Sequence, residues 1–184
     1  MKLVTPSREH LEGFTDALRR GWSPSTEHDV SAALLAEVAT DADAFLAGLD
    51  DRDPQGRTVT LPDGTVVPRI PGFTRWMWDG EFCGSIGARW QPGTTDLPPT
   101  CLGHIGYSVV PWKQRRGYAT SALGQVLDEL RLETDLPWVQ ITTDPDNVAS
   151  QKVIAAHGGV LLERFDKGPA YAHGECLRFR VDLD

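Results

Sequence analysis

The stretch whose residue types most clearly support chemistry is Gly103–Leu130, where a short turn connects strand-type to helix-type sequence. The turn reads Gln114-Arg115-Arg116-Gly117-Tyr118-Ala119. A strand that passes through a glycine-containing turn into a helix leaves several backbone N–H groups in one concavity, at the positive end of the helix dipole. Gly117 permits a positive φ, and Arg115 and Arg116 add positive charge. The turn therefore predicts a binding site for a phosphate or diphosphate.

The hydrophobic pattern on either side of this turn predicts the elements that position it. The preceding segment has the composition of a strand, which Pro111 ends. After Gly117, apolar residues recur at the spacing of a helix that buries one face. These residues are Ala119, Ala122, Leu123, Val126, Leu127 and Leu130.

The rest of the chain alternates between helix and strand signals. Leu11, Phe14 and Leu18 repeat at helical spacing, and a second helix is predicted from about Ser31 to Leu49. Its candidate buried residues are Leu34, Leu35, Val38, Phe45 and Leu46. A last helix opens at Asp144–Asn147 and ends at Gly158-Gly159. Strands are predicted at Thr58–Leu61, Thr65–Val67, Phe73–Trp78, Glu81–Trp90, His104–Val110, Trp138–Thr142, Val160–Phe165 and Cys176–Leu183. This order indicates one α/β or α+β domain.

Composition and charge exclude several classes of protein. With 184 residues and a 40% hydrophobic share, the chain is long enough for one core. The net charge of −8 is unevenly placed: residues 27–53 contain eight acids and one base, and residues 103–119 contain three bases and no acid. A sequence-independent nucleic-acid binder carries a basic face over the whole domain, so this distribution argues against nucleic acid as a partner. It is compatible with one small anionic ligand.

No segment has the sequence of a membrane span or of a secretory signal. The longest apolar runs, such as Ala32–Ala36, are too short to cross a membrane. The first residues, Met1–Val4, are followed directly by polar residues, so the sequence lacks the apolar region of a secretory signal. Cys83, Cys101 and Cys176 are widely spaced and odd in number, which disfavours a disulfide framework and structural zinc. We expect a soluble protein of the reducing cytoplasm with neither a membrane partner nor a metal.

Two blocks of the sequence resemble the GNAT acetyltransferase superfamily. The first is Ile105–Ala119, followed by Thr120-Ser121-Ala122-Leu123 at the start of the helix, and the second is Asp146–Ile154. The chain is most similar to a bacterial branch of predicted acetyltransferases. The resemblance covers about the C-terminal half closely and Phe73–Trp90 loosely, and the first 70 residues are not diagnostic.

The resemblance implies a single-domain GNAT-like fold, with a mixed central sheet, two splayed strands and flanking helices. Acetyl-CoA, as co-substrate, would lie between the splayed strands. Backbone groups of Val109 and Val110 would bind its pantetheine arm, and the amides of Arg115–Thr120 its pyrophosphate. Asn147 would contact the arm, and Ser150 would border the thiol. The residues implied in cofactor binding are Val109, Val110, Gln114, Arg115, Arg116, Gly117, Tyr118, Ala119, Thr120, Asn147 and Ser150.

Asn147 also has the residue type and position of a helix N-cap. The two roles for Asn147 are compatible only if Asp144 or Asp146 caps the helix instead.

The sequence departs from the family at the catalytic positions. Many members carry a tyrosine seven residues after the helix asparagine, where Ile154 stands here, and the predicted strand His104–Val110 lacks the usual acidic residue. The family's acid and base therefore cannot be carried over. The residues within reach of the expected cleft are His104 and Glu81 as bases and Tyr107 as a hydroxyl donor. The alternatives are a backbone-bonded histidine at a strand end and a core tyrosine.

Several aromatic residues allow two interpretations each. Trp76 and Trp78 lie on the same face of their strand, where they either line the acceptor pocket or pack under the N-terminal helices. Trp112 is expected to cover the adenosine. Tyr171 either lines the acceptor pocket or is an ordinary loop residue.

These features fit three functions to different degrees. The first is transfer of an acetyl group from acetyl-CoA to a primary amine of a small molecule, peptide or protein, by direct attack in a ternary complex. The alternative is a non-catalytic sensor of acyl-CoA. A nucleotide site unrelated to CoA fits least, because no P-loop or Gly-x-Gly-x-x-Gly motif is present. We expect the protein to be a monomer or a homodimer. Residues 1–70 are expected to shape the acceptor side, and residues 71–184 to bind acetyl-CoA. The acidic N-terminal part favours a cationic acceptor.

Overall fold

The computed structural model describes residues 1–183, in which five helices and ten strands form. The helices are α1 (Leu11–Arg19), α2 (Ser31–Thr40), α3 (Ala42–Gly48), α4 (Tyr118–Glu133) and α5 (Val148–Ala155). The strands are β1 (Lys2–Val4), β2 (Asp50–Asp51), β3 (Thr58–Thr60), β4 (Val66–Pro68), β5 (Gly72–Trp78), β6 (Phe82–Arg89), β7 (Ile105–Val109), β8 (Trp138–Thr143), β9 (Val160–Asp166) and β10 (Glu175–Asp182). The expected mixed α/β architecture is confirmed.

The central sheet is mixed and has the strand order β1-β5-β6-β7-β8-β10-β9, with β2 also paired to β5. Every neighbouring pair is antiparallel except β7 and β8, which run parallel. The β3–β4 hairpin forms a separate two-stranded sheet. The parallel pair requires a crossover, which α4 supplies.

Helices cover both faces of the sheet and bury a core on each. On one face, the apolar stripe of α4 packs against the sheet through Ala122, Leu123, Val126, Leu127 and Leu130, all at most 2% exposed. On the other face, the helices α1–α3 cover a second core built from Phe14, Ala17, Leu18, Trp22, Phe45, Trp76, Phe82 and Val110. The sheet is therefore the layer between two sets of helices.

The tryptophans of β5 pack under the N-terminal helix α1. Trp76 is fully buried and stacks on Phe14 with 4.7 Å between ring centroids, and Trp78 meets His10 edge-on at 4.5 Å. The ring of Trp112 lies 3.6 Å from the Arg20 guanidinium, in a cation–π contact on the side of α1. These rings belong to the second core and its edge.

The predicted helix Ser31–Leu49 is two helices, because Asp41 ends one and caps the next. Asp41 is extended (φ −157°), and its side chain accepts hydrogen bonds from the amides of Asp43 and Ala44. A short acidic side chain competes with the helical backbone in this way. Of the five predicted buried residues in this stretch, only Phe45 is fully buried, whereas the other four pack partly exposed at the edge of the second core.

Strand β1 was not predicted, because three residues are too short to show a period. It adds the chain's first segment to β5, pairing Lys2 with Trp78 and Val4 with Trp76. The residues before position 70 are thus partly built into the same sheet as those after it.

Within residues 1–183, no helix is long and apolar enough to cross a membrane. The same residues contain no group of three His, Cys, Asp or Glu side chains placed to hold a metal ion. All three cysteines are free; Cys83 and Cys176 are buried, and Cys101 is half-buried.

Candidate functional site

The two parallel strands in the middle of the sheet touch at one end only. Ile105 of β7 pairs with Ile141 of β8, and no later residue of β7 has a partner on β8. Just before this pair, the N–H of His104 donates to the carbonyl of Gln140 at 2.8 Å. The strands separate toward their C-terminal ends, which leaves a V-shaped opening beside Tyr107–Val109.

Val109 has backbone groups available in this opening, and Val110 has none. The N–H of Val110 donates to the Cys83 carbonyl at 3.0 Å, and its carbonyl accepts from the Lys113 N–H at 3.0 Å. Since successive residues of a strand point their backbone groups in opposite directions, those of Val109 point away from β6. The Val109 carbonyl accepts only a long hydrogen bond, 3.4 Å, from the Gln114 side chain. The sequence-based assignment of Val110 as a backbone contact is therefore not supported.

The turn from β7 into α4 presents six consecutive unpaired amides. Arg115 (φ 61°) and Gly117 (φ 74°) both have left-handed backbone conformations. The first helical hydrogen bond runs from the Ser121 N–H to the Gly117 carbonyl at 3.0 Å. Among residues 1–183, the amides of residues 115–120 have no acceptor. Unpaired amides of this kind at a helix N-terminus form an anion-binding nest.

An ion pair between the buried Lys113 and Asp79 of the hairpin turn holds this turn against the β5–β6 hairpin. The Lys113 ammonium is 2.7 Å from a carboxylate oxygen of Asp79, and the Tyr118 hydroxyl donates to the other oxygen at 2.5 Å. The hydrogen bond to Asp79 raises the pKa of Lys113. Burial works to raise the pKa of Asp79, but the hydrogen bonds from Lys113 and Tyr118 outweigh it and hold that pKa well below its usual range. Both groups stay charged at neutral pH and fix the entry to α4.

Glu81 belongs to the same cluster. It lies in the hairpin turn, one residue before β6 begins, and not on the strand as the sequence suggested. Its carboxylate is 77% exposed and 3.0 Å from Lys113. The structure therefore places Glu81 beside the turn into α4 as a partner of a lysine.

His104 is fully buried just before β7, and one of its two ring nitrogens holds the backbone of β8. Its Nδ1 accepts the backbone N–H of Gln140 at 2.9 Å, which leaves the proton on Nε2. The Nε2 atom is buried and has no partner among residues 1–183. Burial lowers the pKa of His104 to about 4, and the Arg89 charge contributes. The geometry supports a backbone-bonded, neutral histidine and gives no support to a general base.

Tyr107 and Ser150 meet across the opening. Tyr107 lies on β7, Ser150 in the first turn of α5, and their hydroxyl oxygens are 2.8 Å apart. Burial raises the pKa of Tyr107 to about 12, so the phenol keeps its proton at neutral pH. Ile154 is fully buried in the first core.

Asn147 is the N-cap of α5. Its side-chain oxygen accepts the Ser150 N–H at 3.1 Å, which fixes the position of the serine. Neither Asp144 nor Asp146 takes the capping role. The requirement for an aspartate cap was therefore wrong, because capping uses only the side-chain oxygen of Asn147 and leaves its NH₂ group for another ligand.

On the face of the sheet opposite to Tyr107 and Ser150, the opening is covered by contacts that the sequence did not suggest. The Ser108 hydroxyl on β7 accepts from the Trp22 indole at 3.0 Å and donates to the Ser23 carbonyl at 3.1 Å. The Lys167 ammonium bridges the carboxylates of Glu27 at 2.8 Å and Asp144 at 2.7 Å. The contacts of Ser108 with Trp22 and Ser23 and of Lys167 with Glu27 join residues 85 to 140 positions apart in the chain, and no local pattern indicates them.

A pocket of about 280 Å³ lies over β5 and β6. Its floor includes Gly87 and Arg89 of β6, and the β3–β4 hairpin forms a wall. Tyr171 lines it from the loop between β9 and β10, with its hydroxyl donating to the Thr100 carbonyl at 2.7 Å.

Comparison with known proteins identifies the family. Residues 23–160 match the family model of the acetyltransferase (GNAT) domain, so the chain belongs to the GNAT acetyltransferases. This confirms the family inferred from the Ile105–Ala119 and Asp146–Ile154 blocks. No protein of curated function matches the chain.

Solved structures of acetyltransferases share the fold at low sequence identity. RimJ of Mycobacterium smegmatis, solved with CoA-disulfide, superposes with a TM-score of 0.66 at 19% identity, covering 98% of this chain and 80% of that one. A Salmonella typhimurium acetyltransferase that modifies the N-terminal serine of ribosomal protein L7/L12 gives 0.62 at 13%, covering 99% and 94%. The microcin C7 self-immunity acetyltransferase MccE, in complex with acetyl-CoA and AMP, gives 0.61 at 12%, covering 98% and 91%. The likeness confirms the GNAT fold.

Proposed function

We propose that the protein transfers an acetyl group from acetyl-CoA to a primary amine in a ternary complex. The observation that carries the proposal is the joint presence of a sheet opening between β7 and β8 and an unpaired amide nest at the start of α4. One elongated ligand with a diphosphate and an amide-rich arm matches both features. Acetyl-CoA has this chemistry, and the family supports it as the acetyl donor.

In this proposal, acetyl-CoA enters along the edge of β7. The amides of residues 115–120 bind its pyrophosphate, with Arg115 and Arg116 adding positive charge. The Val109 backbone binds the pantetheine arm as a neighbouring strand would, because its groups have no strand partner on that side. The Asn147 NH₂ group is available to an acceptor on the same arm.

The chemical step needs a neutral amine, a positioned thioester and a stabilised leaving thiolate. The amine nitrogen attacks the thioester carbonyl, the carbon–sulfur bond breaks, and the amine releases a proton to water. Positioning alone supplies several kcal/mol of the barrier reduction. We assign the stabilisation of the thiolate to the Ser150 hydroxyl.

Tyr107 positions that hydroxyl. In this assignment the phenol donates to the Ser150 hydroxyl oxygen 2.8 Å away, so that the serine hydrogen is free to point at the departing sulfur. A thiol has a pKa near 8–9, far below the pKa of about 12 of Tyr107. The pair therefore stabilises the thiolate by a hydrogen bond, and solvent supplies the proton that completes CoA thiol.

The acceptor would approach from the face covered by α1–α3. The segment 1–70 contributes the α1–α2 loop over Ser108 and the β3–β4 hairpin beside the pocket. We infer that this N-terminal part shapes the acceptor site and that residues 71–184 carry acetyl-CoA.

Release of CoA thiol in the presence of an amine panel tests the proposal. We expect amine-dependent thiol release and an acetylated product by mass spectrometry. Binding of acetyl-CoA without thiol release from any amine would instead favour the acyl-CoA sensor, and stabilisation by ATP but not CoA would contradict both.

A further inference from the structure

The pocket beside the opening is apolar and cationic and has no acid in its lining. Its walls carry Val59, Leu61, Val67, Ile70 and Phe73 among other apolar residues. Its two charged residues are Arg69 and Arg89. The Arg69 guanidinium donates a hydrogen bond to the Gly48 carbonyl and forms an ion pair with Asp51, with a nitrogen–oxygen distance of 3.6 Å.

The Arg89 guanidinium, in contrast, has no partner among the described residues. Its side chain makes no ion pair or hydrogen bond with residues 1–183. The backbone of Arg89 is fixed by donation of its N–H to the His104 carbonyl at 2.9 Å. An exposed guanidinium on a rigid strand, beside an apolar wall, matches an anionic group attached to an apolar body.

Three acids of the N-terminal region are paired with arginines other than Arg89. Asp43 pairs with Arg8, Asp50 with Arg52 and Arg75, and Asp51 with Arg57. Two further acids have partners of their own. Glu27 pairs with Lys167, and Asp63 accepts the Thr65 amide in the hairpin turn.

Arg89 also lies close to the opening in the sheet. A Cβ atom added at Gly106 of β7 would lie 3.3 Å from an Arg89 guanidinium nitrogen. Gly106 follows Ile105, the last β7 residue paired with β8, and precedes Tyr107. The Arg89 guanidinium therefore lies near the end of the V-shaped opening where β7 and β8 are still paired. It lies on one face of the sheet, and Tyr107 and Ser150 lie on the other.

We propose that the acceptor is a small primary amine with an apolar body and a carboxylate, and that Arg89 binds the carboxylate. This inference rests on the proposed acetyl transfer and replaces the cationic acceptor suggested by the net charge. A volume of about 280 Å³ suits a group of the size of a dipeptide.

The test compares alanyl-leucine with its C-terminal amide, alanyl-leucinamide, as acceptors for acetyl-CoA. We expect kcat/KM to be about tenfold higher for the carboxylate, the effect of one charge-assisted hydrogen bond. Arg89→Gln should bring this ratio close to one, because only the reaction of alanyl-leucine becomes slower. Arg89→Lys should keep part of the preference for alanyl-leucine. Arg164→Gln, which removes one exposed arginine from β9, serves as the charge-matched control and should leave the ratio unchanged.

The outcomes separate this inference from the proposed function. Equal rates for the two dipeptides, an equal loss for both in Arg89→Gln, or acetylation of neutral or cationic amines alone would overturn the carboxylate acceptor and leave acetyl transfer intact. Acetyl-CoA binding with no acetylation of either dipeptide would also overturn it. A protein that does not bind acetyl-CoA in calorimetry would refute the proposed function itself.

Discussion

Replacing Ser150 with alanine is expected to lower kcat for amine acetylation about a hundredfold, the usual effect of removing one hydrogen-bond donor from a developing anion. Because the hydroxyl acts only on the departing sulfur, the KM for acetyl-CoA should change little. Tyr107→Phe should lower kcat about tenfold, since the phenol positions the Ser150 hydroxyl at 2.8 Å and does not itself touch the sulfur. Steady-state kinetics with acetyl-CoA and a saturating amine measure both effects.

The double variant separates positioning from an independent contribution. If Tyr107 works through Ser150, Tyr107→Phe combined with Ser150→Ala should be no slower than Ser150→Ala alone. Ser31→Ala, which removes a hydroxyl from the start of α2 and away from the opening, is the matched control and should retain full kcat. Multiplicative losses, or an unchanged kcat in Ser150→Ala, would contradict the assignment.

The second large effect concerns stability at low pH. His104 stays neutral in the folded protein because burial lowers its pKa to about 4, whereas an unfolded chain binds the proton near pH 6.5. As the pH falls from 7.5 to 4.5, protonation of the unfolded chain therefore favours unfolding and lowers the free energy of unfolding by about 2.5 kcal/mol. His104→Asn removes this linkage, and its side-chain oxygen can still accept the Gln140 amide.

Urea unfolding at the two pH values measures this difference. The carboxylates titrate alike in both proteins, so the wild type should lose about 2.5 kcal/mol more stability than His104→Asn on acidification. Parallel losses in the two proteins would show that His104 binds a proton as readily in the folded protein as in the unfolded chain, which would contradict the neutral, buried histidine and reopen its role as a base.

The fold was predictable where a period or a turn residue was strong. The α4 stripe from Ala122 to Leu130 and the turn at Gly117 appear where the sequence placed them, because a long amphipathic helix and a left-handed glycine are local features. The break at Asp41 was missed, since an acid inside an apolar run is compatible with both a helix interior and a cap. Strand β1 was missed because its three residues gain their structure only from β5.

The site was predictable only in its local part. The amide nest follows from a turn and a helix start that are adjacent in sequence. The hydrogen bond of the Val110 N–H depends on Cys83, and the hydrogen bond of the His104 ring depends on Gln140, both of them distant in the chain. The contact between Tyr107 and Ser150 likewise joins residues 43 positions apart. Tertiary partners decide such roles, and one sequence does not show them.

Hydrogen exchange of the backbone with and without acetyl-CoA tests the central claim most directly. The amides of residues 115–120 lack acceptors in the protein and should exchange fast, and a bound pyrophosphate should slow them. Protection of residues 115–120 together with Val109, with no change in strand β9, is the expected result. Saturating acetyl-CoA that binds but leaves residues 115–120 exchanging at their original rate would contradict acetyl-CoA binding in the opening between β7 and β8.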